Sequence, residues 1–205
     1  MSLSFTPGYF TGRGAAQYVK RVPDATAATT LGVRYVFAEL RQQSFYVTWR
    51  LNATFSPDLS FQLYAQPFTF TGHYTGFKEL RSPRTFSFNQ YGRDNSSTVT
   101  LDDPTVCGGA GQGECSGIDP DGAAGPAKTF ALYNPDFRTR SFRTNAVLRW
   151  EYRPGSTLFV VWTHSRSGYF PYDASFDVWR DAGRELFRDR PTNVFLVKLN
   201  YWLSL

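Results

Sequence analysis

The chain has 205 residues, 41% of them hydrophobic and 19% charged, with 19 Phe, 12 Tyr and 5 Trp and a formal charge of +5. So much apolar and aromatic surface excludes a disordered chain, which cannot offset the entropy of ordering, and no apolar run reaches the roughly 18 residues of a transmembrane helix. The positive excess is scattered, with no basic cluster of the kind a nucleic-acid arm carries, so no nucleic acid is expected among the partners.

In chain order, the opening run Met-Ser-Leu-Ser-Phe-Thr-Pro has no basic-then-apolar export signal. Leu3 to Tyr9 and Ala16 to Val22 are faint strand candidates, and Val33 to Leu40 is a clearer one. Arg41-Gln42-Gln43 then reads as a joint into Ser44 to Phe55, where twelve residues alternate without a fault. One face carries Phe45, Val47, Trp49, Leu51, Ala53 and Phe55; the other carries Ser44, Tyr46, Thr48, Arg50, Asn52 and Thr54. Ser56-Pro57-Asp58 has the residues of a tight turn. Beyond it, Leu59, Phe61, Leu63, Ala65 and Pro67 oppose Ser60, Gln62, Tyr64 and Gln66, which completes a hairpin.

Residues 71–137 read as one long loop. Its 101–127 stretch is rich in Gly and Asp and is expected to be a solvated excursion. Cys107 and Cys115, the only cysteines, enclose seven residues that a disulfide could close, which fits an oxidising compartment. Asp102, Asp103, Asp119 and Asp121 lack the spacing of a calcium loop and read as solvated carboxylates. Phe142 to Tyr152 sets Ala146, Leu148, Trp150 and Tyr152 against Arg143, Asn145, Arg149 and Glu151. Arg153-Pro154-Gly155-Ser156 turns the chain into Thr157 to Arg166, whose second face (Phe159, Val161, Thr163) is mixed. Residues 167–191 form a second long loop, in which Phe176, Trp179, Leu186 and Phe187 recur at helical spacing. That short helix is expected to cap a barrel mouth or to lie on a membrane surface. The last strand runs from Asn193 to Leu205.

These strands are about ten to twelve residues long, against the five or six usual in soluble proteins and the nine to eleven that cross a bilayer. Short turns at one end and long loops at the other match the outer-membrane layout, with the turns periplasmic. The expected fold is therefore all-β: an antiparallel transmembrane β-barrel of about eight strands, the C-terminal part of a larger barrel, with long extracellular loops. The expected location is the bacterial outer membrane, with the signal peptide missing from this chain. The expected partners are outer-membrane lipid and the barrel-assembly machinery. Val197, Leu199, Tyr201, Leu203 and Leu205 resemble the C-terminal assembly signal of bacterial outer-membrane proteins, with Leu205 where Phe is usual.

Polar and aromatic side chains on a lumen face could stack on sugar rings and hydrogen-bond their hydroxyls. The candidate ligand-binding residues are Tyr46, Arg50, Asn52, Gln62, Tyr64, Gln66, Arg149 and Glu151, against the alternative of a cross-strand polar network filling the lumen. No catalytic residue is assigned. Glycosidic cleavage needs paired carboxylates, and nothing brings together two of Glu39, Glu79, Glu151 and Glu185. With only His73 and His164 beside the two cysteines, neither metal nor cofactor is expected. A soluble lipocalin-like barrel is the contrasting reading, and it would turn the apolar face inward.

The stretches QYVKRV, LGVRYVFAEL, RLNATFSPDLSFQLYAQPF, NPDFRTRSFRTNAVLRWEYRPGSTLFVVW and NVFLVKLNYWLSL together resemble the C-terminal barrel of the domain-of-unknown-function family 5916 (DUF5916). The resemblance spans nearly the whole chain outside residues 92–128. It implies large bacterial proteins built from an export signal, a carbohydrate-binding sandwich related to binding module family nine, and this barrel; the first two are absent here. It thereby implies carbohydrate as a partner, a role in glycan capture or uptake, and a glycoside-hydrolase association only through the absent sandwich. It supplies no catalytic residue for any position of this chain.

Overall fold

The computed structural model describes residues 1–203. It is all-β, with ten strands: β1 (Ser2–Pro23), β2 (Val33–Ser56), β3 (Leu59–Leu80), β4 (Phe88–Gln90), β5 (Thr98–Leu101), β6 (Cys115–Asp119), β7 (Phe130–Tyr133), β8 (Phe137–Arg153), β9 (Ser156–Pro171) and β10 (Thr192–Asn200). The large sheet is antiparallel throughout, in the order β1-β2-β3-β8-β9-β10, with β4 also paired to β3; β5-β6-β7 form a small second sheet. No helix is long and apolar enough to cross a membrane, a fact silent about β-barrels.

The large sheet is open, because β1 pairs only with β2 and β10 only with β9. Six long strands thus take the place of about eight. Two expected breaks account for the difference. Arg41-Gln42-Gln43 is no joint: β2 runs through it for 24 residues, and the polar triplet contains neither Gly nor Pro to turn the chain. Likewise β1 is one 22-residue strand, with register shifts between Gly14 and Gln17 and between Tyr18 and Lys20. Each such shift swaps the faces of the residues beyond it, so the alternation looks like two faint strands.

The ladder pairs align side chains in rows across the sheet. On one face the rows from the turn end upward include Leu59-Trp150-Leu158-Leu199, then Ala53-Phe61-Leu148-Val160-Val197, then Leu51-Leu63-Ala146-Trp162-Phe195. Trp49-Ala65 and Val47-Pro67-Phe142 follow. Above them the same face turns polar: Thr69 pairs with Arg140, and Thr71 with Arg138. The apolar band thus covers Val47 to Phe55 of β2, nine residues, or about 26 Å of strand at 3.3 Å per residue.

The connections are lopsided. Pro57-Asp58 and Pro154-Gly155 close one end, while residues 24–32, 81–136 and 172–191 lie at the other. The first long loop is smaller and better ordered than expected: β3 extends to Leu80, and the Gly- and Asp-rich stretch folds into the β5-β6-β7 sheet. Ile118 and Leu132 of that sheet are buried with Val36 and Tyr91, against Val19, Val22, Phe77 and Phe130. Cys107 and Cys115 are disulfide-bonded, Cα atoms 5.8 Å apart. Nor are the aspartates simply solvated. Asp103 caps Thr105 through its backbone and hydroxyl, Asp102 accepts from the Gly113 amide, Asp119 from Gly122 and Asp121 from Ala127.

The last strand is shorter than Asn193 to Leu205. β10 ends at Asn200, which pairs with Thr157, because the Pro154-Gly155 turn leaves no partner beyond it. Val197 and Leu199 lie in the ladder on the apolar face. Tyr201 accepts a hydrogen bond from Arg153 (2.8 Å), and Trp202 donates its amide to the Ser156 hydroxyl (2.9 Å). Leu203 is exposed, and Leu205 lies outside the described residues.

Candidate functional site

Strict alternation puts the polar candidates on the face opposite the apolar band. Arg50 pairs with Tyr64 and Asn52 with Gln62 across β2 and β3, and Tyr64 and Gln62 pair with Asn145 and Val147 of β8. Together they line a shallow open groove of about 200 Å³. The Arg50 guanidinium carbon sits 5.8 Å from the centre of the Tyr64 ring. Gln66 donates to Thr48 (3.0 Å) and Asn52 to Ser2 (3.3 Å). An aromatic face, a guanidinium and three amides within one groove can stack on a planar or sugar ring and bond its hydroxyls.

Four candidates lie on this face outside the groove: Gln66, bonded to Thr48 as above, Tyr46, Arg149 and Glu151. Tyr46 lies flat over Gly8, where an added Cβ would come within 2.2 Å of its ring. Arg149 and Glu151 pair with each other at 2.9 Å nearer the turns. Asn145 and Val147 complete the groove, and both belong to the alternating phase of β8. Toward β10 the face is less polar: Val147 pairs with Val161, which pairs with Leu196, so the mixed phase of β9 reflects a local apolar strip.

The glutamates considered for glycosidic work are engaged. Arg34, buried at the top of β2, binds Asp24 and Glu79 (2.7 Å), and Tyr91 donates to Glu79 at 3.2 Å. Burial would raise the Asp24 carboxyl, but Thr26 and Arg34 outweigh it and hold it below its ordinary 3.8. Burial, then the Glu79 charge, pushes the Tyr91 hydroxyl far up. Glu39 pairs with Arg13, Glu151 with Arg149 and Glu185 with Arg140. Each of the four glutamates considered for glycosidic work is thus tied to an arginine. No group of three or more metal-ligating side chains occurs among the described residues.

Sequence reasoning missed the course of residues 172–191, because β9 extends to Pro171 and the segment crosses the sheet instead of looping into solvent. Asp173 binds Arg138 (3.0 Å); Asp181, fully buried, binds Arg138, Arg180 (3.1 Å) and the Thr69 hydroxyl (3.3 Å). Arg140 clasps Glu185 (2.6 Å) and Asp189 (2.7 Å). Leu186 is 1% exposed, and Phe176 reaches Tyr9 of β1, their ring centres 6.0 Å apart. The expected helix reduces to a single π turn over Arg180–Arg184 and a 3-10 turn over Leu186–Arg188. The segment is a strap along the upper rim of the apolar band. Its sequence signal was the run of acids at every fourth position from Asp173 to Asp189, matched to Arg138 and Arg140 on one face of β8.

No protein-family model, curated protein or solved structure matches this chain.

Proposed function

We propose that this chain is the C-terminal part of a bacterial outer-membrane β-barrel whose polar face lines a lumen that takes a hydroxyl-rich ligand, a glycan by preference. The observation that carries the reading is the apolar band itself. On one face Trp49, Phe55, Phe195 and Leu199 are more than half exposed and Trp150 nearly so, in successive apolar rows that no second layer of the protein covers. Monomeric soluble proteins rarely expose apolar patches of more than a few hundred Å². The short turns face the periplasm and the long connections the outside. Further strands pair with the free edges of β1 and β10 and close the barrel, since unpaired edges cannot sit in lipid. The resemblance to the domain-of-unknown-function family 5916 agrees with this reading.

The test is heat modifiability. The chain is refolded in detergent micelles, and its gel mobility is compared before and after boiling. A faster unboiled band is the expected result once the missing strands are supplied as a longer chain; the same shift for the 205 residues alone would mean that they close by themselves. Ready solubility without detergent would overturn the membrane reading. Glycan binding is checked by titrating oligosaccharides against tryptophan emission, with loss of the response in Tyr64→Ala and Arg50→Gln.

A further inference from the structure

The strap leaves an apolar crevice where it crosses the band. Trp49, Ala65, Pro67 and Phe142 form its floor, and Ala182 and Leu186 its roof. Phe187 stands at its edge, 60% exposed, with Arg166 over its ring at 5.4 Å. At about 350 Å³ the crevice has room for a length of hydrocarbon chain, and its walls carry almost no polar surface. It is continuous with the exposed apolar rows beneath it.

The charge on the strap is one-sided. Asp173, Asp181, Glu185 and Asp189 all turn toward the sheet and are neutralised there by Arg138 and Arg140. Asp177 accepts from the Arg180 amide. Arg184, Arg188 and Arg190 are left on the outer surface. Arg184 and Arg190 make no ion pair among the described residues, and Arg188 reaches Glu185 only at 3.8 Å. Trp179, 85% exposed, belongs to the same surface. Exposed arginines beside exposed aromatic rings, at the level where an apolar band ends, match an interface that is oily below and anionic above.

We infer that the strap and the band beneath it form a binding site for a phosphate-bearing anionic membrane lipid. One acyl chain lies in the crevice between Leu186 and Trp49, and the phosphate is held by Arg184, Arg188 and Arg190. Arginine suits this task because its planar fork donates two parallel hydrogen bonds to phosphate oxygens. The site rests on the membrane reading above and adds to it a lipid preference at one place on the outer face.

The test uses the longer chain that supplies the closing strands, inserted into phosphatidylcholine vesicles that contain a minor share of either brominated phosphatidylglycerol or brominated phosphatidylcholine. Bromine quenches tryptophan on contact, and Trp49 lies in the crevice. The expected result is quenching by both lipids with a clear excess for the anionic one, reduced in Trp49→Phe and abolished in the triple variant Arg184→Gln, Arg188→Gln, Arg190→Gln. Each arginine near an anionic surface is worth about a five-fold change in lipid enrichment, equivalent to roughly 1 kcal/mol. These side chains are exposed, so their replacement leaves the strap's buried contacts intact. Equal quenching by the two lipids, or an excess that survives in the triple variant, would overturn the lipid site and leave membrane insertion standing. Absence of quenching by either lipid would overturn both.

Discussion

The lower and upper halves of the same long strands are built for different surroundings. Below, the sheet has no second layer, and large aromatic side chains such as Trp49, Phe55 and Trp150 stand exposed. Above, β2 buries Val36 and Arg34 under the small sheet, and β8 buries Arg138 and Arg140 under the strap. On the membrane reading proposed above, the lower half takes its apolar partner from lipid. The upper half supplies its own partners, a small apolar core and two sets of buried ion pairs. Buried ion pairs are poor sources of net stability, but breaking one by removing a single partner is costly. The two halves should respond unequally to loss of a charge.

The largest effect is expected at Arg138. Replacing it with Met leaves Asp181, fully buried, with only Arg180 and Thr69 for partners, at a cost of about 3 kcal/mol, the lower end for breaking a buried pair, because Arg180 still offsets part of the charge. Heating curves in detergent should shift accordingly, with the strap becoming accessible to protease. A change as small as that of an exposed pair would mean that the strap does not sit on β8.

Next is the disulfide. Cys107→Ser with Cys115→Ser opens a loop of sequence separation 8 and should destabilise the β5-β6-β7 sheet by about 2–3 kcal/mol, at the lower end for short loops. The loss should be confined to the upper half. Hydrogen exchange would then rise around Ile118 and Leu132, while the gel mobility of the unboiled chain stays the same.

Third comes Gly8→Ala. Its Cβ would meet the Tyr46 ring at 2.2 Å and force that ring to move, so a cost of about 1–3 kcal/mol is expected, as for overpacking elsewhere. The pair Gly8→Ala with Tyr46→Ala should recover part of the loss, and a double-mutant cycle measures it.

The long strands, the turns and the polar face were legible from residue types alone. Period-two alternation is nearly free of faults between Ser44 and Pro67, and a one-residue slip would invert every side chain. Breaks in the pattern were harder to read. At Glu39 to Gln43 the outer face changes from apolar to polar because the strand rises out of the band, and a change of surroundings looked like a turn. Bulges near Gly14 and Tyr18 hid the continuity of β1. The strap was harder still: its acids recur at every fourth position, but where it lies depends on ion pairs between Asp181 or Asp189 and arginines some 43 and 49 residues away, and local pattern does not say which arginines they meet. The candidate groove sits between these cases. Alternation placed Arg50, Asn52, Gln62 and Tyr64 on one face, but only the register of β3 against β8 brings Asn145 beside them.

A smaller effect is expected from acid. Arg140 holds the Asp189 carboxyl below its ordinary 3.8 despite burial. For Asp173, burial acts upward but is outweighed by Ser175 and Arg138, so its value is also lowered. A depressed carboxylate lends stability that is fully present above its unfolded value and is lost as pH falls through its folded one. The strap should therefore stay closed above pH 3.8 and loosen progressively below it. Pepsin, which works in acid, provides the readout: cleavage near Leu186 and Phe187 should rise as pH falls, ahead of any cleavage in β2 or β3. Cleavage that is independent of pH in this range would remove the carboxylates from the account of what closes the strap.

The smallest effect is expected in the lower half, at Arg149. Its pair with Glu151 looks similar on paper to Arg140 with Glu185, with separations of 2.9 and 2.6 Å. Yet the Arg149 side chain is 39% exposed against 4% for Arg140. Solvent screens it, and exposed pairs are typically worth about 0.2–1 kcal/mol. Arg149→Met should consequently shift the heating curve little, while Arg140→Met should shift it as Arg138→Met does. If the Arg149 substitution proved as costly as the other two, the lower polar face would be a packed, water-free network. The groove around Tyr64 would then be closed to a ligand, and the division of the sheet into a half that needs its medium and a half that does not would fail on its polar side.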